Sequence, residues 1–210
     1  MSAFYAEPPS QIFRLGDIVT GFQHPAFQID KPGSDEIDTH LKIHLTRPLY
    51  FAVMTPCCSI ENQCISLAPL IELRHKFFEF PRLVEDMTRL NITMKPEESL
   101  PPKAWDNLPL EQKGELLAKG DSYIFLQYFV YQPHAFLKPY ALKKGSQVWP
   151  DIGYRMVDFK QTFRVDCSQI ERNRPAPVGT KLLELSIAAR SQLRDKLAHF
   201  FGRMPDEDRV

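Results

Sequence analysis

The chain has 210 residues, 43% hydrophobic and 25% charged, which suits one globular domain with room for an insertion. Lysine plus arginine and aspartate plus glutamate both number 26, so the formal net charge is zero; a globally basic nucleic-acid binder and an acidic disordered chain are excluded. Eighteen prolines against nine glycines, scattered rather than clustered, imply short elements stopped by rigid corners.

Residues 1–10 carry neither the basic nor the apolar region of a signal peptide and are expected to form a flexible arm ahead of a single domain over 11–210. Ile12–Phe22 reads as a first strand, entered through a Gly16-Asp17 corner, and 24–38 as a loop rich in turn residues. Leu41, Ile43 and Leu45 alternate with polar neighbours, the period of a half-buried strand. After Arg47-Pro48, the continuous apolar run Leu49–Met54 predicts a strand covered on both faces, with Thr55–Asn62 as its exit loop and Cys64–Ala68 as the return strand.

From about 72 to 120 the pattern is helical in pieces, Arg82–Leu90 and Leu108–Lys119, with prolines between, so this stretch is read as a helical insertion. Strands resume over Asp121–Tyr131 and Gly153–Val165, where the apolar period slips near Asp158 as a bend or bulge would make it. A C-terminal α-helix over about 186–202 has Ser186 as N-cap, an apolar stripe of Ile187, Leu193, Leu197 and Phe200, and Gly202 as its stop. The expected class is α+β.

Few patterns carry chemistry. Cys57, Cys58 and Cys64 lie in one strand-turn-strand, where they suit core packing, a thiol nucleophile or a zinc site, though Cys58 to Cys64 is too long for a zinc knuckle and no second pair exists. On a strand, His40 and His44 stand about 13 Å apart at ~3.3 Å per residue and cannot share a metal. There is no phosphate-binding glycine loop or nucleophile elbow, so no cofactor and no metal are expected. Charge is uneven: residues 1–70 hold seven acids and four bases, residues 121–210 ten acids and fourteen bases. A local basic face including Lys143, Lys144 and Arg155, with aromatic residues interleaved, could track RNA or DNA.

Gly16-Asp17-Ile18-Val19, followed by Arg47-Pro48 and the run to Thr55, resembles the opening of MazF/PemK-type toxins, which are SH3-like barrels. The resemblance implies an SH3-like β-barrel core, and an endoribonuclease in which Arg47 stabilises the transferring phosphate. Asp17 or a nearby histidine would then move the proton. Val53–Asn62 followed by Ile65–Pro69 is similar to a group of uncharacterised bacterial proteins whose central strand ends in Ser/Thr-Gln-x-Cys-Asp-Ile. Cys58 matches the group's cysteine, and Ser59 stands where the group has aspartate. The group also shares the Val157-Asp158-Phe159 strand and the terminal helix, and it looks like an accessory component of mobile-element or anti-phage gene sets.

The leading expectation is therefore a cytoplasmic partner-binding accessory protein of a bacterial defence or toxin–antitoxin-like system, without robust catalysis. Its surface would be formed by Arg47, by Thr55, Cys58, Ser59, Glu61 and Asn62 in the exit loop, and by Tyr128, Lys143, Lys144 and Arg155. A protein partner is expected, self-association fits, and with apolar runs far below the ~20 residues of a bilayer span no membrane is implied. The alternatives are an endoribonuclease acting on single-stranded RNA and a thiol or zinc site at Cys57, Cys58 and Cys64.

Overall fold

The computed structural model describes residues 3–10, 12–29, 41–55, 64–166 and 180–202. In chain order the strands are β1 (Tyr5–Ala6), β2 (Ile18–Thr20), β3 (His24–Ile29), β4 (Leu41–Thr46), β5 (Phe51–Val53) and β6 (Cys64–Ile71). Short helical pieces follow: 3-10 turns at His75–Glu79, Met87–Asn91 and Pro96–Glu98, and helices α1 (Pro81–Glu85), α2 (Pro102–Asp106) and α3 (Leu110–Ala118). The chain returns to β7 (Tyr128–Tyr131), β8 (Tyr140–Lys144), β9 (Gln147–Ile152), β10 (Arg155–Asp158), β11 (Phe163–Asp166) and β12 (Thr180–Leu185), and ends in α4 (Ile187–Gly202).

The architecture is α+β. Its main sheet is antiparallel and runs β1-β12-β2-β5-β6-β10-β7, with β11 also paired to β6. Among the described residues this path is open, with β1 and β7 at its ends. The long β6 serves three partners: β5 opposite Leu67–Pro69, β11 opposite Cys64–Leu67, and β10 opposite Leu70 and Ile71. A 3-10 turn at Phe159–Gln161 steps the chain from β10 to β11, and the Asp158 carboxylate caps it by accepting from Lys160 N–H. The period slip near Asp158 is this turn.

Both sheet faces are covered, which explains why β5 and β7 are apolar throughout. Ile18, Ala52, Ala68, Phe129, Tyr131 and Val157 pack against Ala189, Leu193 and Phe200 of α4. On the other face, Val19, Phe51, Val53, Ile65 and Leu67 form one cluster. Tyr128, Val130 and Met156 pack instead under the helical pieces through Phe77, Phe80, Leu83, Met87 and Leu90. Asn91 closes the open edge of β7: its Nδ2 donates to Val130 O at 2.6 Å and its Oδ1 accepts from Val130 N–H at 2.7 Å. One amide thus replaces a strand partner and ties the helical stretch to the sheet.

Three expectations are corrected. The N-terminal arm is tied down: β1 pairs with β12, and Phe4 and Tyr5 pack into the core, where Tyr5 Oη donates to Gln132 O at 2.7 Å. Apolar rings that gain a sheet edge need not stay in water. The expected loop at 24–38 begins instead as β3, paired with β4 from His24–Thr46 to Ile29–Leu41. Pro25 is tolerated because a two-stranded ribbon has only edge strands. Of the long strand expected over Asp121–Tyr131, only Tyr128–Tyr131 is extended, since Phe125 adopts φ +49° and turns the chain. No helix among the described residues is long and apolar enough to cross a membrane.

Candidate functional site

The residues singled out from the sequence are scattered. Gly16 has φ +83°, and a Cβ there would lie 2.3 Å from Leu185 Cδ1, so the Gly-Asp corner admits only glycine. Asp17 next to it is 0% exposed. Its Oδ2 accepts from Arg14 N–H at 2.7 Å and stands 2.6 Å from Lys181 Nζ. Burial pushes the Asp17 carboxyl up from its ordinary value, more than Lys181 and the Arg14 N–H pull it down. Enclosed in the interior, its carboxylate holds the corner through Arg14 N–H and Lys181. Arg47 is exposed at the far end of β4.

Thr55 is buried, and its Oγ1 accepts from Ser66 N–H at 2.5 Å, which fastens the end of β5 to β6. Tyr128 is a core ring packed edge-on against Phe77, with the Arg74 guanidinium 5.0 Å and the Lys76 ammonium 5.3 Å from its centre. Burial, then the charge of Arg74, lowers the Lys76 pKa. Lys143 and Lys144 are exposed on β8, where Lys144 pairs with Glu79 at 3.3 Å. Cys58, Ser59, Glu61 and Asn62 lie outside the described residues, as does Cys57, while Cys64 is a free, half-buried thiol. No group of three His, Cys, Asp or Glu side chains among the described residues could hold a metal ion.

Asp17 belongs to a buried ionic network. Glu184 of β12 is paired with Lys181 at 2.8 Å and Arg190 at 3.0 Å, and Arg14 approaches it at 3.6 Å. Ser10 donates to the same carboxylate through N–H at 2.7 Å and Oγ at 2.6 Å. Burial alone would raise the Glu184 carboxyl, but donors from Lys181, Ser10 and Arg190 outweigh it and hold it down to about 2. Two stretches far apart in sequence are clamped there: Ser10, Arg14 and the Gly-Asp corner from one end of the chain, and β12 with the start of α4 from the other.

A separate cleft of about 650 Å³ lies between the helical stretch and the β8–β9 hairpin. One wall is Leu73, Phe78, Val84 and Met87 of the helical stretch; another is Pro133, Leu137 and Pro139; the third is the continuous run Trp149–Tyr154. A regular strand turns alternate residues to opposite faces, so six consecutive lining residues require a break in the period. The register supplies it: Leu142 faces Trp149 and Tyr140 faces Ile152, leaving one extra residue on β9. Asp151 absorbs that bulge with φ +51°, in the left-handed region aspartate tolerates better than most residues. Beyond it, Gly153 lets Pro133 approach, since a Cβ would stand 2.7 Å from Pro133 Cβ.

Polar groups behind the cleft hold its floor. Arg155, buried, donates from Nη2 to Lys138 O at 2.7 Å, and its guanidinium lies 4.5 Å from the Tyr140 ring centre. Tyr50 Oη accepts from Lys138 N–H at 3.0 Å and Tyr140 Oη from Leu73 N–H at 2.7 Å. Burial pushes the Tyr140 phenol up to about 12, so it stays neutral. Arg155 thus braces the Lys138 backbone and the Tyr140 ring and does not itself line the cleft. In front, Trp149 stacks at a tilt on Phe78, ring centres 4.9 Å apart, with His75 edge-on to Trp149 at 5.9 Å. The lining is mostly apolar with a few polar groups, His134 and Asp151 among them, the composition of a binding site.

No known protein family, curated protein or solved structure matches the chain. Sequence reasoning missed the cleft. The signals it had were Trp149-Pro150-Asp151 inside a β-rich stretch and the prolines at 133 and 139, but which of these converge depends on the bulge and on the helical wall.

Proposed function

We propose that the protein is a binding module that holds an apolar segment of a partner protein in the cleft beneath the β8–β9 hairpin, as an accessory component of a multi-component bacterial defence or toxin–antitoxin-like system. The observation that carries this is the cleft itself: a preformed apolar trough with aromatic walls, shaped by a bulge and by Gly153, and braced by Arg155, Tyr50 and Tyr140. Aromatic anchors in a rigid setting concentrate binding energy in few residues. We read the sheet as an SH3-like roll around β6; its three strand partners, and the 3-10 turn that steps the chain from β10 to β11 along it, support a bent central strand.

The test is selection from a displayed peptide library. Ligands should be apolar, binding should fall at least about tenfold in Trp149→Ala, and Arg47→Ala should bind as wild type does. Selected ligands indifferent to Trp149→Ala would overturn the reading. So would cleavage of single-stranded RNA by the wild-type protein that Arg47→Ala abolishes.

A further inference from the structure

We infer that the segment held in the cleft is a proline-rich, extended stretch of the partner bearing a lysine or arginine at one end; this rests on the reading of the cleft as the partner-binding surface. Two independent features support it, one of shape and one of charge.

The trough is open to solvent and lined by rings, those of Phe78, Trp149, Tyr154 and Pro133, with Phe78 and Trp149 stacked at a tilt on each other. A small compact ligand would be better served by a closed cavity. A polyproline II strand has three residues per turn, no internal hydrogen bonds and little conformational freedom left to lose, and its pyrrolidine rings lie well on aromatic faces. Such a ligand asks the site for ring surfaces and few hydrogen bonds, which is what this lining supplies.

Charge chooses the end group. Asp151 lines the trough and has no ion-pair partner among the described residues. Asp86 stands outside the lining, where its Oδ1 accepts from Thr88 N–H at 2.9 Å and Thr88 Oγ1 at 2.7 Å, so Asp151 is the carboxylate the trough itself presents among the described residues. No lysine or arginine side chain lines the trough among the described residues. A ligand cation therefore finds complementary charge, and the phosphates of a nucleic acid would meet repulsion. The bulge supports the same conclusion, since it sets Asp151 beside Trp149 and Pro150 in the lining.

The experiment is a fluorescence or calorimetric titration of the full chain with capped decapeptides: alternating proline and leucine ending in arginine; the same ending in glutamate; the same with alanine for every proline; and, separately, oligouridylate. The first should bind tightest, with the glutamate and alanine versions each weaker by about tenfold. Asp151→Asn keeps both shape and left-handed backbone tolerance, so it should fold and lose about threefold to tenfold affinity for the arginine peptide only, an effect that salt reduces. Equal binding of the proline and alanine peptides, or no loss in Asp151→Asn, would overturn this inference and leave the apolar-segment reading standing, provided Trp149→Ala still abolishes binding. Tightest binding by oligouridylate, or self-association of the chain that Trp149→Ala removes, would assign the cleft to another occupant and overturn it. No cleft-dependent binding by any probe would overturn both.

Discussion

Two regions of this molecule treat polar groups in opposite ways. At the β12–α4 end, four buried ionisable side chains, Asp17, Lys181, Glu184 and Arg190, form a chain of ion pairs with the partly exposed Arg14 at its edge, and Asp17, Lys181 and Glu184 are each less than a tenth exposed. Around the cleft, charge is sparse, the walls are rings and aliphatic chains, and Asp151 is exposed with no ion-pair partner among the described residues. Buried charges that satisfy one another are spent on holding distant segments together, whereas an accessible unpaired charge beside apolar rings is available to a ligand. The contrast separates the part that holds the fold from the part that can recognise.

The largest expected effect breaks the first region. Glu184→Ala leaves the buried Arg190 without its carboxylate, Lys181 with Asp17 alone and Ser10 without its acceptor, and denaturant unfolding should show a loss of about 3–5 kcal/mol. The milder Glu184→Gln tests the electrostatics by pH. The native carboxyl is lowered from 4.5 to about 2, so its contribution is complete above 4.5 and disappears as pH falls toward about 2; the gap between wild type and variant should close over that window. Asp17 runs the other way, because its raised native pKa favours the folded state as pH falls, so the variant pair is a cleaner readout than wild-type acid unfolding alone.

Gly153→Ala comes next and breaks the second region. The added methyl meets Pro133 Cβ, and stability should fall by about 2 kcal/mol, together with peptide binding, as the wall between Pro133 and Tyr154 shifts. Lys196→Met probes the seam between the two regions, where this 0% exposed ammonium on α4 donates to Leu90 O of the helical stretch. Burial holds its pKa well below 10.5, so the native state is penalised increasingly as pH falls below 10.5. The methionine should stabilise by roughly 1 kcal/mol at neutral pH, and the gain should fade as pH rises toward 10. Arg47→Ala is the control and the smallest change: exposed at the end of β4, it should stay within about 0.5 kcal/mol of wild type.

Local pattern carried the elements whose faces are locally encoded. The stripe Leu193, Leu197 and Phe200 marks α4, the unbroken run at β5 marks a strand covered on both sides, and prolines between short helical pieces mark the stretch from His75 to Ala118. Elements with weak periods escaped. β1 has only two residues, β9 carries a proline and a bulge, and β12 mixes Lys181 and Glu184 with its leucines because those charges turn inward to each other. Asp17, Arg155 and Tyr128 were recognised as unusual residues, but as surface chemistry. Their burial beside Lys181, Lys138 O and Phe77 gives them structural work.

By itself, then, the amino-acid sequence determined an α+β chain with strand cores, a helical stretch between them, a closing helix and a glycine-aspartate corner, because these depend on residues within a few positions of one another. Tertiary structure alone decided that a buried carboxylate gathers Ser10, Arg14, Lys181 and Arg190, and that Trp149–Tyr154 faces Phe78 and Pro133 across a trough. Both depend on long-range pairing and on one extra residue in β9, and a bulge reverses which side chains face inward without leaving a period that sequence can reveal.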